Sequence, residues 1–493
     1  LRKATLKPSE TDLLNKRRAG VLLHITSLPG TGNQGDLGKD AYYFVDFLHK
    51  AGISVWQTLP LGMTHADGSP YQCLSAHAGN PDLININWLV SQGWLENSGN
   101  HNANKSERVA QAFKGFLAYA SESDKEDFAS FCHNKAFWLD DFALFLTLRL
   151  EFNQQCWNQW PTYFKERDSK AIKEARSRLS HAIECVKFAQ YVFFRQWMAL
   201  KTYANQQGVL LFGDIPIFVS YDSADVWANR DVFKLDDNGD MSVVAGVPPD
   251  YFSENGQRWG NPHYNWIFLK KTGFNWWLER MHTQLEQFDI LRIDHFRGLE
   301  AAWEIPAHEP TAKHGEWVKA PGKALLNAIK ANLGAIPLVA EDLGIITDEV
   351  VELRDEFHLP GMKILHFAFG GGPDNPYLPN NYEKNCVVYT GTHDNDTTVG
   401  WANQLNDDEK KYVYEYLGNP LASLHCALIQ AALASVANLA IIPMQDILEL
   451  GSEHRMNTPG TTEGNWRWRF QWEQLSPERA SRLAHLVELF NRN

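Results

Sequence analysis

The chain has 493 residues, room for about three average domains or for one heavily decorated barrel. Hydrophobic residues make up 44% and charged residues 21%, the balance of a globular protein with a large core rather than of a disordered chain. A net charge of −13 without any Lys/Arg block argues against nucleic acid and anionic membrane as partners, since both demand a basic face, and favours a neutral substrate.

Cys73, Cys132, Cys156, Cys185, Cys386 and Cys426 lie far apart, with no CxxC pair and no short metal-ligand spacing. Reduced thiols are expected, hence a reducing compartment: the cytoplasm, or the plastid stroma if a transit peptide has been removed. The chain begins at Leu1 rather than Met, as after loss of a leading segment. No stretch approaches the roughly 18 uncharged apolar residues of a spanning helix, and no signal core follows a basic start. The 18 Trp are heavy use of a costly side chain; most are expected in the core, but flat apolar rings also suit the C–H faces of sugars.

In chain order, eight short apolar or β-branched runs read as strands: residues 20–27, 54–60, 209–218, 288–296, 336–344, 362–369, 385–392 and 439–448. Helical patterns alternate with them, at 40–51, 320–333, 347–357 and 407–417. This alternation predicts a parallel sheet with right-handed crossovers, and eight repeats predict a closed (β/α)8 barrel, an α/β fold. About 150 residues separate the second and third runs and about 70 the third and fourth, too long for simple βα loops. The expected organisation is one catalytic barrel over 1–493 with two inserted subdomains. Residues 88–203 read as a helical insertion. Residues 220–271, rich in Gly, Pro, Asn and aromatics, read as an irregular one. A last helical segment follows Leu448, so no carboxyl-terminal β-domain is expected.

Active sites of such barrels lie at the carboxyl ends of the strands. Four acids occupy those ends: Asp214 in GDIPIF, Asp294 in LRIDHFRG, Glu341 in LVAEDLG and Asp394 in GTHDND. A carboxylate inside an apolar run is costly unless paired, so any one of them reads most simply as a buried partner for an Arg. Four converging on one cleft point instead to glycoside chemistry, in which one carboxylate attacks the anomeric carbon while a carboxylic acid protonates the leaving oxygen. Arg292 lies two residues before Asp294, on the same strand face, where it can hold a nucleophile ionised. His295 alternates to the opposite face. His393 precedes Asp394 at a loop end and suits a sugar hydroxyl.

RIDHFRG (292–298), AEDLG (340–344) and GTHDND (391–396) resemble the signature regions of glycoside hydrolase family 77, the 4-α-glucanotransferases of the α-amylase clan. Further matches are SLPG (27–30), GDLG (35–38), SPYQ (69–72), GDIPI (213–217) and PPDYFSENGQRWGNP (248–262), so the resemblance runs from about Arg18 to Trp466. It implies Asp294 as nucleophile, Glu341 as acid/base and Asp394 as stabiliser of the distorted sugar. It also implies Arg292 and His393 lining the site of the cleaved sugar, Tyr71 as its stacking platform and Asp214 as a structural acid beside it. The segment from Tyr251 to Trp259 resembles a mobile flap, with Trp259 toward the acceptor. Trp303 and Asn465 are further carry-overs, and His295 counts among the substrate-lining positions.

The implied reaction is retaining transfer of α-1,4-glucan segments between maltooligosaccharide donors and acceptors, glucose among the latter, with no cofactor and no metal. The acids alone leave an α-glucan hydrolase or a non-catalytic glycan-binding barrel open. Residues 30–35 spell GxGxxG after a strand, but the next strand ends without the acid a dinucleotide site needs. A turn beside the sugar site, with Asp36 contacting a hydroxyl, is the preferred reading. His308, Glu309 and His314 miss the HExxH spacing, and Gly370–Gly372 lack a following Lys.

Overall fold

Eight parallel strands form the centre of the molecule: β1 (Arg18–Leu22), β2 (Val55–Gln57), β3 (Leu210–Pro216), β4 (Ile290–Asp294), β5 (Leu338–Ala340), β6 (Gly361–Ile364), β7 (Cys386–Tyr389) and β8 (Leu439–Pro443). They pair in the order β6-β7-β8-β1-β2-β3-β4-β5, each beside its neighbour in sequence. Between β5 and β6 the ring is closed by the Ala340 N–H, which donates to the Pro360 carbonyl at 2.9 Å. The architecture is therefore the expected (β/α)8 barrel. The structure, a computed structural model, describes residues 13–30, 32–96, 104–249, 253–334 and 336–493.

Most strands are fully buried, as parallel strands walled by helices must be, and their Val, Ile and Leu run without alternation. The strands are shorter than the apolar runs that signal them. Residues beyond β1, β6 and β8 coil into the turns Ile25–Ser27 and Leu365–Phe367 and the helix Met444–Ile447. Those segments remain apolar because they too are largely buried, so hydrophobicity marks burial there rather than extension. After β8, the described chain holds only helical turns and the final helix Pro477–Leu489.

The first insertion is helical, from Ile86–Ser91 to the 27-residue helix Ser180–Gln206. That last helix leads directly into β3, and its Trp197 indole N–H donates to Gln287 O at 3.0 Å, so insertion and barrel share one core. The second insertion is not irregular, as its composition suggests. Val243–Val247 and Gln257–Pro262 are strands of a four-stranded antiparallel sheet, completed by Ala301–Pro306 and Glu316–Lys319 from the segment after β4. Those two strands pair with each other, but the rest of the sheet lies about 60 residues downstream, out of reach of a local pattern. Gly246 belongs there because a Cβ would lie 2.2 Å from Gln257 O.

The carboxyl terminus ties the bottom of the barrel. Arg492, with no exposed surface, donates from Nε to Leu433 O (2.6 Å) and from its two terminal nitrogens to Arg18 O and Ser435 O (3.0 Å each). One guanidinium thus satisfies carbonyls at the start of β1 and before β8. Arg17 also donates to Leu433 O and Ser435 O, so Arg492→Leu would chiefly leave the Arg18 carbonyl unpaired, at a cost of about 1–3 kcal/mol that lowers apparent Tm by roughly 2–6 °C. Calorimetry at fixed scan rate measures this, and turnover per folded molecule should stay unchanged.

Candidate active site

Strand register builds the acidic cluster. Asp214 on β3 and Arg292 on β4 are register partners, which puts both side chains on one face, and Asp294 repeats that face two residues on. The Arg292 guanidinium donates to Asp214 Oδ2 at 2.5 Å and to Asp294 Oδ1 at 2.8 Å. Ile293 and Ala340 pair across β4 and β5, so Asp294 and Glu341 leave adjacent strands at the same level. Arg280 and Tyr264 fasten the end of β3, donating to Pro216 O (2.5 Å) and Ile217 O (2.6 Å).

His295 explains how Glu341 is held. Its backbone is left-handed, φ 55° and ψ 50°, a conformation that costs a non-glycine residue about 1–3 kcal/mol. In that conformation its N–H donates to Glu341 Oε2 at 2.7 Å, while the Leu343 N–H donates to Oε1 at 3.0 Å. The His295 ring lies edge-on to Trp259 (4.9 Å between centroids) and beside Phe218 (6.5 Å). Burial holds that imidazole down to about 3, so it is neutral and packs rather than titrates.

Tyr71 joins the two sides of the cleft. Its hydroxyl donates to Asp214 Oδ2 and meets His393 Nε2, both at 2.8 Å, and the two rings stack at 5.3 Å. Asp394 projects from the loop after β7, with Asn457 Nδ2 donating to Oδ1 at 2.6 Å and His393 Nε2 lying 3.4 Å from Oδ2. Exposure separates the roles. Side chains of Asp394 and Asp294 are 44% and 31% accessible, that of Asp214 not at all. Asp214 therefore serves Arg292 and Tyr71, while Asp294 and Asp394 face the cleft.

Electrostatically, the cluster concentrates acids around one cation. Burial pushes the Asp294 carboxyl up to about 8, opposed by Arg292 and reinforced by the charges of Asp214, Glu341 and Asp394. Burial also raises Glu341, again against Arg292 and the two backbone donors. The pair thus retains a proton well above the usual carboxylate range. The direct contact of Arg292 favours the charge on Asp294, whereas the two backbone donors favour it on Glu341, so the proton belongs to the pair.

Other expected site residues make local contacts. Asp36 is consumed by its own turn: its carboxylate accepts from the Gly38 N–H (2.9 Å) and Asn85 Nδ2 (3.0 Å), securing the start of helix Lys39–Lys50. Trp303 lies in the antiparallel sheet, its indole N–H donating to Ala312 O (3.0 Å) and its ring against Trp317. Asn465 borders the cleft, but its amide is spent on Thr458 N–H (2.9 Å) and Thr461 O (3.0 Å). Tyr251 lies outside the described residues. Conversely, Asn457 and Trp466 went unread. Trp466 stands 5.9 Å from the Tyr71 ring, at the edge of a cavity of about 210 Å³ that Met456 and Asn465 also line. The only advance sign of both is the long Thr/Gly/Asn-rich stretch after the eighth apolar run. Among the described residues, one His/Cys/Glu group has metal-compatible spacing, His425, Cys426 and Glu449, but Arg482 and Arg479 already hold its carboxylate at 2.9 and 3.4 Å.

Residues 23–475 match the profile of the 4-alpha-glucanotransferase family, glycoside hydrolase family 77. The 4-alpha-glucanotransferases of Thermus thermophilus and of Synechocystis are each 48% identical to the chain, covering 97% of it and 99% of their own length. Amylomaltase from Streptococcus agalactiae, solved in complex with acarbose, superposes with a TM-score of 0.93 at 37% identity, over 97% of this chain and 100% of that one. The chain belongs to the 4-alpha-glucanotransferase family and is an enzyme that transfers α-glucan units.

Proposed function

We propose that Asp294 is the nucleophile, Glu341 the acid/base and Asp394 the stabiliser of the reacting sugar in a retaining double displacement. The observation that carries this reading is the Arg292 bridge between Asp214 and Asp294, with Glu341 held on the next strand by the His295 N–H. In the first step the Asp294 carboxylate attacks the anomeric carbon, the glycosidic C–O bond breaks, and the departing 4-oxygen takes the proton of Glu341. The glucosyl ester is then attacked by the 4-hydroxyl of an incoming glucan. Glu341 accepts that hydroxyl's proton, and Asp294 leaves as carboxylate. Two inversions give net retention.

Donor maltooligosaccharides are placed along Tyr71, His393 and Trp466, whose rings stand together, with Trp466 bordering the cavity. Trp259, beside His295 and so beside Glu341, is placed on the acceptor side, where glucose is the smallest acceptor. Residues 220–271, with Tyr251 and Trp259, form the insertion carrying the flap over that side, and residues 88–203 the helical insertion on one barrel. All six cysteines are unpaired, which supports a reducing compartment such as bacterial cytoplasm or plastid stroma. Among the described residues no helix is long and apolar enough to cross a membrane.

Maltotriose alone should give glucose and a ladder of longer oligomers, without a rise in total reducing ends. A rise proportional to cleavage would mean that water, not sugar, is the acceptor. Asp294→Asn and Glu341→Gln should each lower turnover by about 10³-fold or more in folded protein, and near wild-type rates in either would remove that residue from the mechanism.

The pH profile follows from the raised carboxyls. Protonation competent for the first step is present at neutral pH and is lost as pH rises through the upper apparent pKa of the pair. The alkaline limb of kcat/KM should therefore lie well above the ordinary carboxylate range, toward the value of about 8 at Asp294. A limb between pH 4 and 5 would show that burial does not hold the proton.

A further inference from the structure

His393 and Asp394 stand on one loop, and both ends of that loop are fastened to a single buried carboxylate outside it. Asp446, 1% exposed, follows β8 on the helix Met444–Ile447. Its Oδ2 accepts from the Thr390 hydroxyl (2.5 Å) and the Thr398 hydroxyl (2.6 Å), and its Oδ1 from the Thr398 N–H (2.7 Å). Thr390 directly follows β7, and Thr398 opens the helix Thr398–Gln404. The segment between them is the loop that bears the exposed acid.

The rest of the loop leaves little freedom once its ends are set. Thr392 donates from N–H (2.8 Å) and hydroxyl (2.9 Å) to Asn395 Oδ1, and the Asp394 N–H donates to the Thr392 hydroxyl at 3.3 Å. At Gly391 a Cβ would lie 2.7 Å from the His366 ring. That ring stacks on Trp401 at 5.0 Å, and its Nε2 lies 3.0 Å from the Thr398 hydroxyl. A buried carboxylate without a cation is costly, yet here hydrogen bonds to Thr390 and Thr398 compensate both of its oxygens.

We propose that Asp446 is a positioning residue for the transfer reaction: by clamping Thr390 to Thr398 it sets where Asp394 and His393 meet the reacting sugar. The inference rests on the role given to Asp394 above. Asp446 touches neither residue, so it acts through the loop. Misplacement of a reacting group by about 1 Å can cost about 10²-fold in rate.

The test measures kcat per folded molecule and donor KM for Asp446→Ala and Asp446→Asn, in the wild-type and Asp394→Asn backgrounds. Asp446→Ala should lower kcat about 10–100-fold with donor KM changed by less than about 3-fold. Asp446→Asn should stay within about 5-fold of wild type, because its amide can accept from the Thr398 N–H and donate to both hydroxyls. In the Asp394→Asn background the Asp446→Ala loss should shrink to within about 3-fold, the non-additivity of two groups acting as one. Should Asp446→Ala fail to fold, Thr390→Val and Thr398→Val carry the same comparison. Equal losses in both backgrounds, or a wild-type kcat with only a lowered Tm, would overturn the proposal. Full turnover in Asp394→Asn alone would instead overturn the role of Asp394 beneath it.

Discussion

A single guanidinium, 4% exposed, holds the active face together. Arg292 meets Asp214 behind it and Asp294 in front, and every other feature of the site is arranged around that bridge. A buried ion pair carries a desolvation cost that its own attraction does not reliably offset. The arrangement makes sense only if the second acid is needed as an anion in a place with little water. Asp214, fully buried and bonded to both Tyr71 and Arg292, anchors the cation from the rear. Asp294, on the cleft side, keeps part of its carboxylate accessible, as the nucleophile proposed above requires.

The barrel supplies the geometry that makes one cation sufficient. Parallel register sets Asp214 opposite Arg292, and alternation along β4 returns Asp294 to the same face. The neighbouring strand β5 delivers Glu341 one residue past a paired rung. What the barrel does not supply is the turn of the Glu341 carboxylate toward the nucleophile's strand. The left-handed backbone at His295 does that, by aiming its N–H at Glu341. Strain at that residue is opposed by the packing of its ring between Phe218 and Trp259, so the aromatic wall and the acid are mechanically linked.

How much of this was legible follows from which residues carry a periodic signal. Asp214, Arg292, Asp294 and Glu341 sit in or at the end of apolar strand runs, where period-two alternation predicts the shared face, and the structure unites them. Asp36 and the weaker carry-overs Trp303 and Asn465 each hydrogen-bond to partners within their own segments or the neighbouring sheet, contacts that no sequence pattern announces. Of the antiparallel sheet, the pairing of Val243–Val247 with Gln257–Pro262 is local and was missed, whereas its pairing with Ala301–Pro306 lies beyond any local pattern. Asn457 and Trp466 lie in loops after β8, where polar residues follow no period, and Asp446 sits in the eighth apolar run where the chain has already turned helical. Loop placement of functional groups is thus the least readable layer, although rigid strands determine where the loops begin.

This layering also locates the difference between a transferase and a hydrolase. Both need the same nucleophile and the same acid/base, and the strands that carry those groups would be unchanged. Acceptor choice depends on what surrounds the glucosyl ester while Glu341 waits for a hydroxyl. In the reading proposed above, that surround is the Trp259 wall on one side and the Tyr71–His393–Trp466 rings on the other. None of these four rings lies on a barrel strand; each comes from a connecting segment or from the inserted sheet. The chemistry belongs to the barrel, and the choice of sugar over water belongs to what has been built onto it.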